Sequence, residues 1–289
     1  MLRWLKRILL GLVAVLLVGV AAIYVLSNRI INERHAFVPY PVAVPNDSAT
    51  FAQGQRLVKM RCAGCHGDSL QGRPVFFDEP MIASIPAPNV PARLARLTDA
   101  EFAGFLRSGV RKDGTSSFVM PPPGFYHISD ADLGALLAYL RSLPVDEDTI
   151  PKPSYRLLGR LGVLTGQFKP VVAEIDTTQE RVGQDPTWAT TRSGEYLSRL
   201  ICSECNGTAL TGEAGPPAAT PSLAGALAYS EEEFTTLLRT GTPREPGKEL
   251  GLMKETAQRS LSHLRDDEIR AIYDYLKALP ASGVAHSRQ

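Results

Sequence analysis

Cysteine is scarce in this chain. Its 289 residues hold four, Cys62, Cys65, Cys202 and Cys205, as two C-x-x-C pairs with none elsewhere. A disulfide-stapled secreted domain scatters its cysteines to close long loops, so that class is excluded. An excess of one charge is missing too. The 31 basic and 30 acidic residues leave a formal net charge of +1, which is no electrostatic footprint for nucleic acid. Neither pair sits in the β–α–β setting of a thioredoxin-like dithiol. No second Cys/His pair stands near the first to complete a four-ligand zinc site. Strand-like alternation is absent between the helical segments, where Pro- and Gly-rich stretches such as VMPPPG and AGPPAATP run instead. The cysteine pairs therefore read as local chemistry.

What is present begins with a long apolar run. Residues 8–27, ILLGLVAVLLVGVAAIYVLS, carry no charge, and 20 helical residues rise about 30 Å, the thickness of a hydrocarbon core. Trp4 and Tyr24 lie near its two ends, where amphipathic rings prefer the headgroup region. Arg3, Lys6 and Arg7 precede it with no acid among them, which predicts a cytoplasmic start and an exported remainder. A cleaved signal peptide, with Val20-Ala21-Ala22 at the processing site, is the competing reading. The apolar run is long for that and continues to Leu26. Residues 1–27 are read as an uncleaved transmembrane anchor.

The exported part repeats itself. Gly54, Leu57, Cys62, Cys65, Gly67, Leu70 and Gly72 each recur 140 positions later, as Gly194, Leu197, Cys202, Cys205, Gly207, Leu210 and Gly212. LTDAEFAGFLRSG matches AYSEEEFTTLLRTG at an offset of 132, and HISDADLGALLAYLRSLP matches HLRDDEIRAIYDYLKALP at 136. Loops of unequal length between equal helices produce that drift. Thr98-x-x-Glu101 and Ser230-x-x-Glu233 predict capping boxes, with Gly109 and Gly241 closing the same helices. Ser129 and Asp132 predict the start of the last helix of the first copy. Its apolar face is Leu133, Leu136, Leu137 and Leu140, and Pro144 and Pro280 stop the two last helices. The reading divides the chain into an anchor (1–27), a stalk (28–47), a first domain (48–146), a connector (147–187), a second domain (188–283) and a tail (284–289). The connector's centre, YRLLGRLGVLTGQF, is expected to form a helix packed on the domains, with a position along the membrane surface as the alternative.

C-x-x-C-H, here RCAGCHG at 61–67, is the signature of covalent haem attachment. Cys62 and Cys65 would bond the haem, and His66 would lie under the iron as proximal ligand. Met120, in the proline-fixed SFVMPPPG before the last helix, is the candidate for the opposite side. A methionine as core filler is its competing role, and His127 is the alternative ligand. With RCAGCHG, the APN at 87–89, Met120 and a final helix ending AYLRSLP, the chain resembles the class I cytochromes c. It is most similar in layout to the membrane-anchored, two-domain cytochromes c of bacterial respiratory chains. The resemblance implies a mainly α fold of two tandem cytochrome c domains behind one transmembrane helix, with both soluble domains in the periplasm. It also implies that the first and last helices of a domain cross, with Tyr139 at the crossing. The implied function is one-electron transfer between protein partners: a dehydrogenase or quinol-oxidising complex on one side, an oxidase or soluble cytochrome on the other.

The second copy departs from this pattern. ICSECNG at 201–207 keeps Cys202 and Cys205, and Met253 in LGLMKE matches Met120, but Asn206 replaces the histidine. An amide nitrogen has no free lone pair, and its oxygen is a hard donor poorly suited to this iron. Within the family, attachment depends on that histidine. His263 aligns with His127, on the wrong side of the pocket to substitute. A second haem is therefore in doubt. The second copy reads as a haem-free docking module, or as an open-site haem in a two-haem peroxidase or small-molecule oxidoreductase, for which no distal acid/base group is evident.

Overall fold

The structure is a computed structural model that describes residues 2–182, 191–212 and 219–279. Trp188, Pro280 and His286 lie outside the described residues, as do the expected boundary at 188 and the tail 284–289.

Helix α1 (Leu2–Ile31) contains the apolar run and continues through the first residues of the expected stalk. It is long and apolar enough to cross a membrane. The remainder of the stalk is no free tether. His35 N–H donates to Gly114 O at 2.9 Å and Tyr40 N–H to Ala100 O at 2.8 Å. The Tyr40 ring lies 4.2 Å under the Arg107 guanidinium, and its hydroxyl donates to Asp130. The segment is a strap along the first copy.

The first copy follows as α2 (Ser48–Arg61), α3 (Ala63–His66), β1 (Arg73–Glu79), β2 (Ala83–Ala87), α4 (Val90–Leu94), α5 (Asp99–Ser108), a 3₁₀ turn (Pro123–His127) and α6 (Asp130–Arg141). Each start has a chemical cause. The Asp47 side chain accepts from Thr50 N–H, Thr98 and Glu101 complete a capping box, and Ser129 accepts from Asp132 N–H. Gly109 ends α5 in the left-handed region, as its C′ position requires. The leucines of α6 at 133, 136, 137 and 140 are all buried. Helices α2 and α6 cross at Gly54, where a Cβ would fall 1.9 Å from Ala135 O. Phe51 and Tyr139 meet edge to face beside the crossing, 5.3 Å apart.

The hairpin of β1 and β2 is a departure from the helix-and-loop expectation. It is antiparallel, with Phe77 opposite Ile85 and Glu79 opposite Ala83, and β3 (Ser154–Tyr155) adds a third strand from the connector. The alternation in RPVFFDE is broken by a register shift between Arg73 and Phe77, which hides the strand from a period-two reading. Helix α7 (Leu157–Leu164) realises the expected connector helix, but it packs on α1 and the hairpin turn.

The second copy runs α8 (Thr191–Leu197), a π turn (Ser198–Cys202), α9 (Ser203–Asn206), a 3₁₀ turn (Leu223–Ala228), α10 (Glu231–Thr240), α11 (Leu252–Arg259) and α12 (Asp266–Ala278). It repeats the crossing: Gly194 meets α12 where a Cβ would lie 2.0 Å from Ala271 O. Ser230 and Glu233 form the second capping box, and Gly241 closes α10. Among the described residues the hairpin has no counterpart here, and α11 has none in the first copy.

Candidate cofactor site

The first cysteine pair is placed by the end of α2. Cys62 is its C-cap, donating to Val58 O, and the next turn, α3, carries Cys65 and His66. Gly67 at φ 81° and Leu70 at φ 58° then turn the chain back, Gly72 N–H donates to His66 O, and Val90 N–H donates to Leu70 O. That loop brings Pro88 over the histidine. His66 Nδ1 lies 2.8 Å from Pro88 O, and a carbonyl can only accept, so Nδ1 carries the proton and Nε2 keeps its lone pair. The ring is 5 % exposed, and burial holds its pKa below the ordinary value despite the Pro88 bond. A neutral imidazole fixed through one nitrogen with the other free is the form that binds a metal.

Burial also acts on the two thiols. Burial pushes Cys62 up to about 12, against the pull of Arg61, and Cys65 up to about 11, with Glu204 adding to the effect. Redox-active C-x-x-C thiols are shifted the other way. Met120 and Cys62 both pack against the same apolar core from partly buried positions. The Met120 N–H donates to Ser117 Oγ at 3.2 Å. His127 is turned elsewhere: its Nδ1 accepts from Val182 N–H at 3.4 Å. Burial, then the Arg199 and Arg181 charges, bring its pKa down to about 4. Two thiols, a braced imidazole and a thioether are a donor set that fits haem c, with Cys62 and Met120 on one apolar core.

The second pair has the same scaffold and a different donor. Gly207 and Leu210 take φ 74° and 58°, Gly212 N–H donates to Asn206 O, and Leu223 N–H donates to Leu210 O. Asn206 Nδ2 donates to Pro221 O at 2.8 Å. The amide thus reproduces the Nδ1 half of the imidazole and lacks the half that would face iron. The residues at this site do not fit a His-ligated haem. Burial also raises Cys202 to about 12. Met253 packs on the core from the first turn of α11, since LMKETAQR forms a helix where the prolines after Met120 cannot. The His263 backbone carbonyl accepts from Arg56 at 3.2 Å, which keeps this turn at the contact between the copies.

That contact has near two-fold symmetry. Arg56 of α2 forms a bidentate pair with Glu268 of α12, at 2.7 and 2.8 Å. At the equivalent position of α8, 140 residues on, Tyr196 donates to Asp132 of α6 at 2.7 Å. Asp132 and Glu268 are themselves equivalent at the 136 offset, and each is at the third position of its helix. Both links thus join the same surfaces in both directions, as an isologous interface does. The symmetry fails at Arg61, whose counterpart is Ile201. The Arg61 side chain is 8 % exposed and pairs with Glu204 at 2.8 Å, its guanidinium 5.3 Å from the Phe125 ring centroid. Its charge acts on both cysteine pairs.

Sequence reasoning alone did not find Arg61 or the two proline carbonyls. The Pro88/Pro221 match sits at an offset of 133, inside the stretch where loop lengths differ. The Cytochrome c family model matches residues 51–144. The chain is 28% identical over 275 residues to the cytochrome c subunit of alcohol dehydrogenase (quinone) of Gluconobacter oxydans, covering 81% of this chain and 56% of that one. It is 27% identical over 266 residues to the gluconate 2-dehydrogenase cytochrome c subunit of Pantoea cypripedii, covering 78% and 58%. To the fructose dehydrogenase cytochrome subunit of Gluconobacter japonicus it is 25% identical over 256 residues, covering 76% and 50%. The chain therefore spans about half the length of these relatives, from 50% to 58%.

Proposed function

With residues 51–144 a domain of the cytochrome c family, we propose that the protein is the membrane-tethered electron carrier of a dehydrogenase system. It would carry one haem c, held through Cys62, Cys65, His66 and Met120. Bound there, haem c supplies a one-electron couple. The chain's own part would be to ligate the iron through His66 and Met120, so that no substrate binds, and to bury the site, which tunes its potential. The observation that carries this reading is the His66 Nδ1 bond to Pro88 O, which fixes the tautomer and aims the remaining lone pair.

The named relatives support a dehydrogenase as electron donor; an oxidase or soluble cytochrome would be the acceptor. Helix α1 would span the cytoplasmic membrane and leave both copies in the periplasm. The second copy would be a haem-free docking module. Asn206 favours this over the peroxidase reading, because it stands where the histidine on which haem attachment depends would be, and its amide is spent on Pro221 O.

Haem content by pyridine haemochrome, set against intact mass, tests the core claim: one covalent haem per chain is expected, and none would overturn it. Met120→Ala should leave that haem attached and lower its reduction potential. An unchanged potential would remove Met120 from the axial position.

A further inference from the structure

We propose that α7 and the turn of the β1–β2 hairpin rest in the headgroup region of the bilayer, as a lipid-facing collar that sets how the first copy sits on the membrane. The proposal depends on α1 being transmembrane.

The first support is the level at which α7 meets α1. Arg160 of α7 donates to Ser27 Oγ at 3.0 Å and lies 4.4 Å over the Tyr24 ring. Ser27 is fully buried in a helix otherwise almost entirely exposed. The less exposed positions of α1, at 20, 23, 27, 30 and 31, lie three or four residues apart along one stripe, which marks one face toward a neighbour. From Ile8 to Tyr24 a helix rises about 24 Å, still within a hydrocarbon core of about 30 Å. A helix packed at Tyr24 and Ser27 therefore stands at the membrane boundary.

The second support is the composition of α7, LLGRLGVL. A helix with one face in water carries polar residues there. Here the outward residues are Leu158 and Leu161, 46 % and 42 % exposed, while Gly159, Gly162 and Val163 face inward. Its one charge, Arg160, is turned onto α1. Neither face is built for water.

The hairpin turn moves with it. Leu158 N–H donates to Met81 O at 3.0 Å and Arg156 N–H to Ile82 O at 2.9 Å. Gly159 sits so close that a Cβ would fall 2.1 Å from Ile82 O. Met81 is 56 % exposed, and the same hairpin bares Val75 and Phe76 on its edge strand. A soluble domain rarely gathers outward apolar side chains this way without a use for them. Their continuity with the last turns of a membrane helix identifies lipid as the occupant.

The test uses the full chain in vesicles of phosphatidylethanolamine and phosphatidylglycerol that contain a bilayer-partitioned carbene precursor. After photolysis, labelled peptides are mapped by mass spectrometry. The expected result is label in residues 79–83 and 157–164 as well as in α1, several-fold above α5. Leu158→Gln with Leu161→Gln should reduce the label in 157–164 several-fold. If α1 is labelled while 157–164 stays at the α5 level, the patch faces water or a partner subunit and the collar is overturned with the anchor intact. If α1 itself is unlabelled, the transmembrane reading fails and the collar with it.

Discussion

Restoring one histidine should restore a second cofactor. At Asn206 the surrounding backbone already matches the haem-binding pattern of the first copy. Leucines at φ 58° stand at 70 and 210, and glycines at φ 87° and 88° at 72 and 212. The side-chain bonds to the proline carbonyls are both 2.8 Å. Asn206→His would give Pro221 O an Nδ1–H donor in place of the amide, so the bond, worth about 1 kcal/mol, is kept. Urea unfolding of the second copy should then shift by less than about 1 kcal/mol, whereas Asn206→Ala should lose about that much. Expressed with attachment machinery, the Asn206→His protein should gain one further haem by intact mass, and its haemochrome absorbance per chain should double. Asn206→Gln should gain none. A folded Asn206→His protein that still carried a single haem would refute the claim that the missing imidazole alone disables this site.

The contact between the copies makes two more predictions. Arg56 and Glu268 are 19 % and 8 % exposed, so Arg56→Met strands a buried carboxylate, a change that costs about 3–5 kcal/mol. Arg265 remains 3.1 Å from Glu268, which puts the expected loss near about 3 kcal/mol by urea titration, and Arg56→Met with Glu268→Leu should recover most of it. A loss below about 0.5 kcal/mol would mean that the pair does not hold the copies together. His127, held down to about 4, binds its proton in the unfolded chain first. Stability should therefore fall as pH drops from about 6.5 to about 4, and His127→Gln should flatten that part of the urea-midpoint profile. An equally steep profile in the variant would mean that His127 is not buried as a neutral acceptor.

Much of this architecture was legible in the sequence because it is written in local rules. The two capping boxes, the glycine helix ends and the leucine face of α6 need only their own neighbours, and the crossing of first and last helices near Tyr139 followed from the resemblance. The C-x-x-C-H segment was equally plain, since its chemistry depends on five adjacent residues. What escaped depends on distant partners. The hairpin is irregular and takes its third strand from residues about 70 positions away. The strap at 34–43 looked like a stalk because its bonds run from backbone to another element. The Arg56–Glu268 pair spans 212 positions, and no pattern of charges in one dimension identifies it. The Asn206 substitution was visible; its reuse of the proline bond needed coordinates.

The reciprocal use of Arg56 with Glu268 and Tyr196 with Asp132 has a corollary. The two repeats meet through equivalent surfaces, as two copies of one module meet in an isologous dimer, but here both lie on one chain. Joining makes the encounter intramolecular and independent of dilution. Each half is then freed from matching the other residue for residue, as Arg61 against Ile201 and His66 against Asn206 already show.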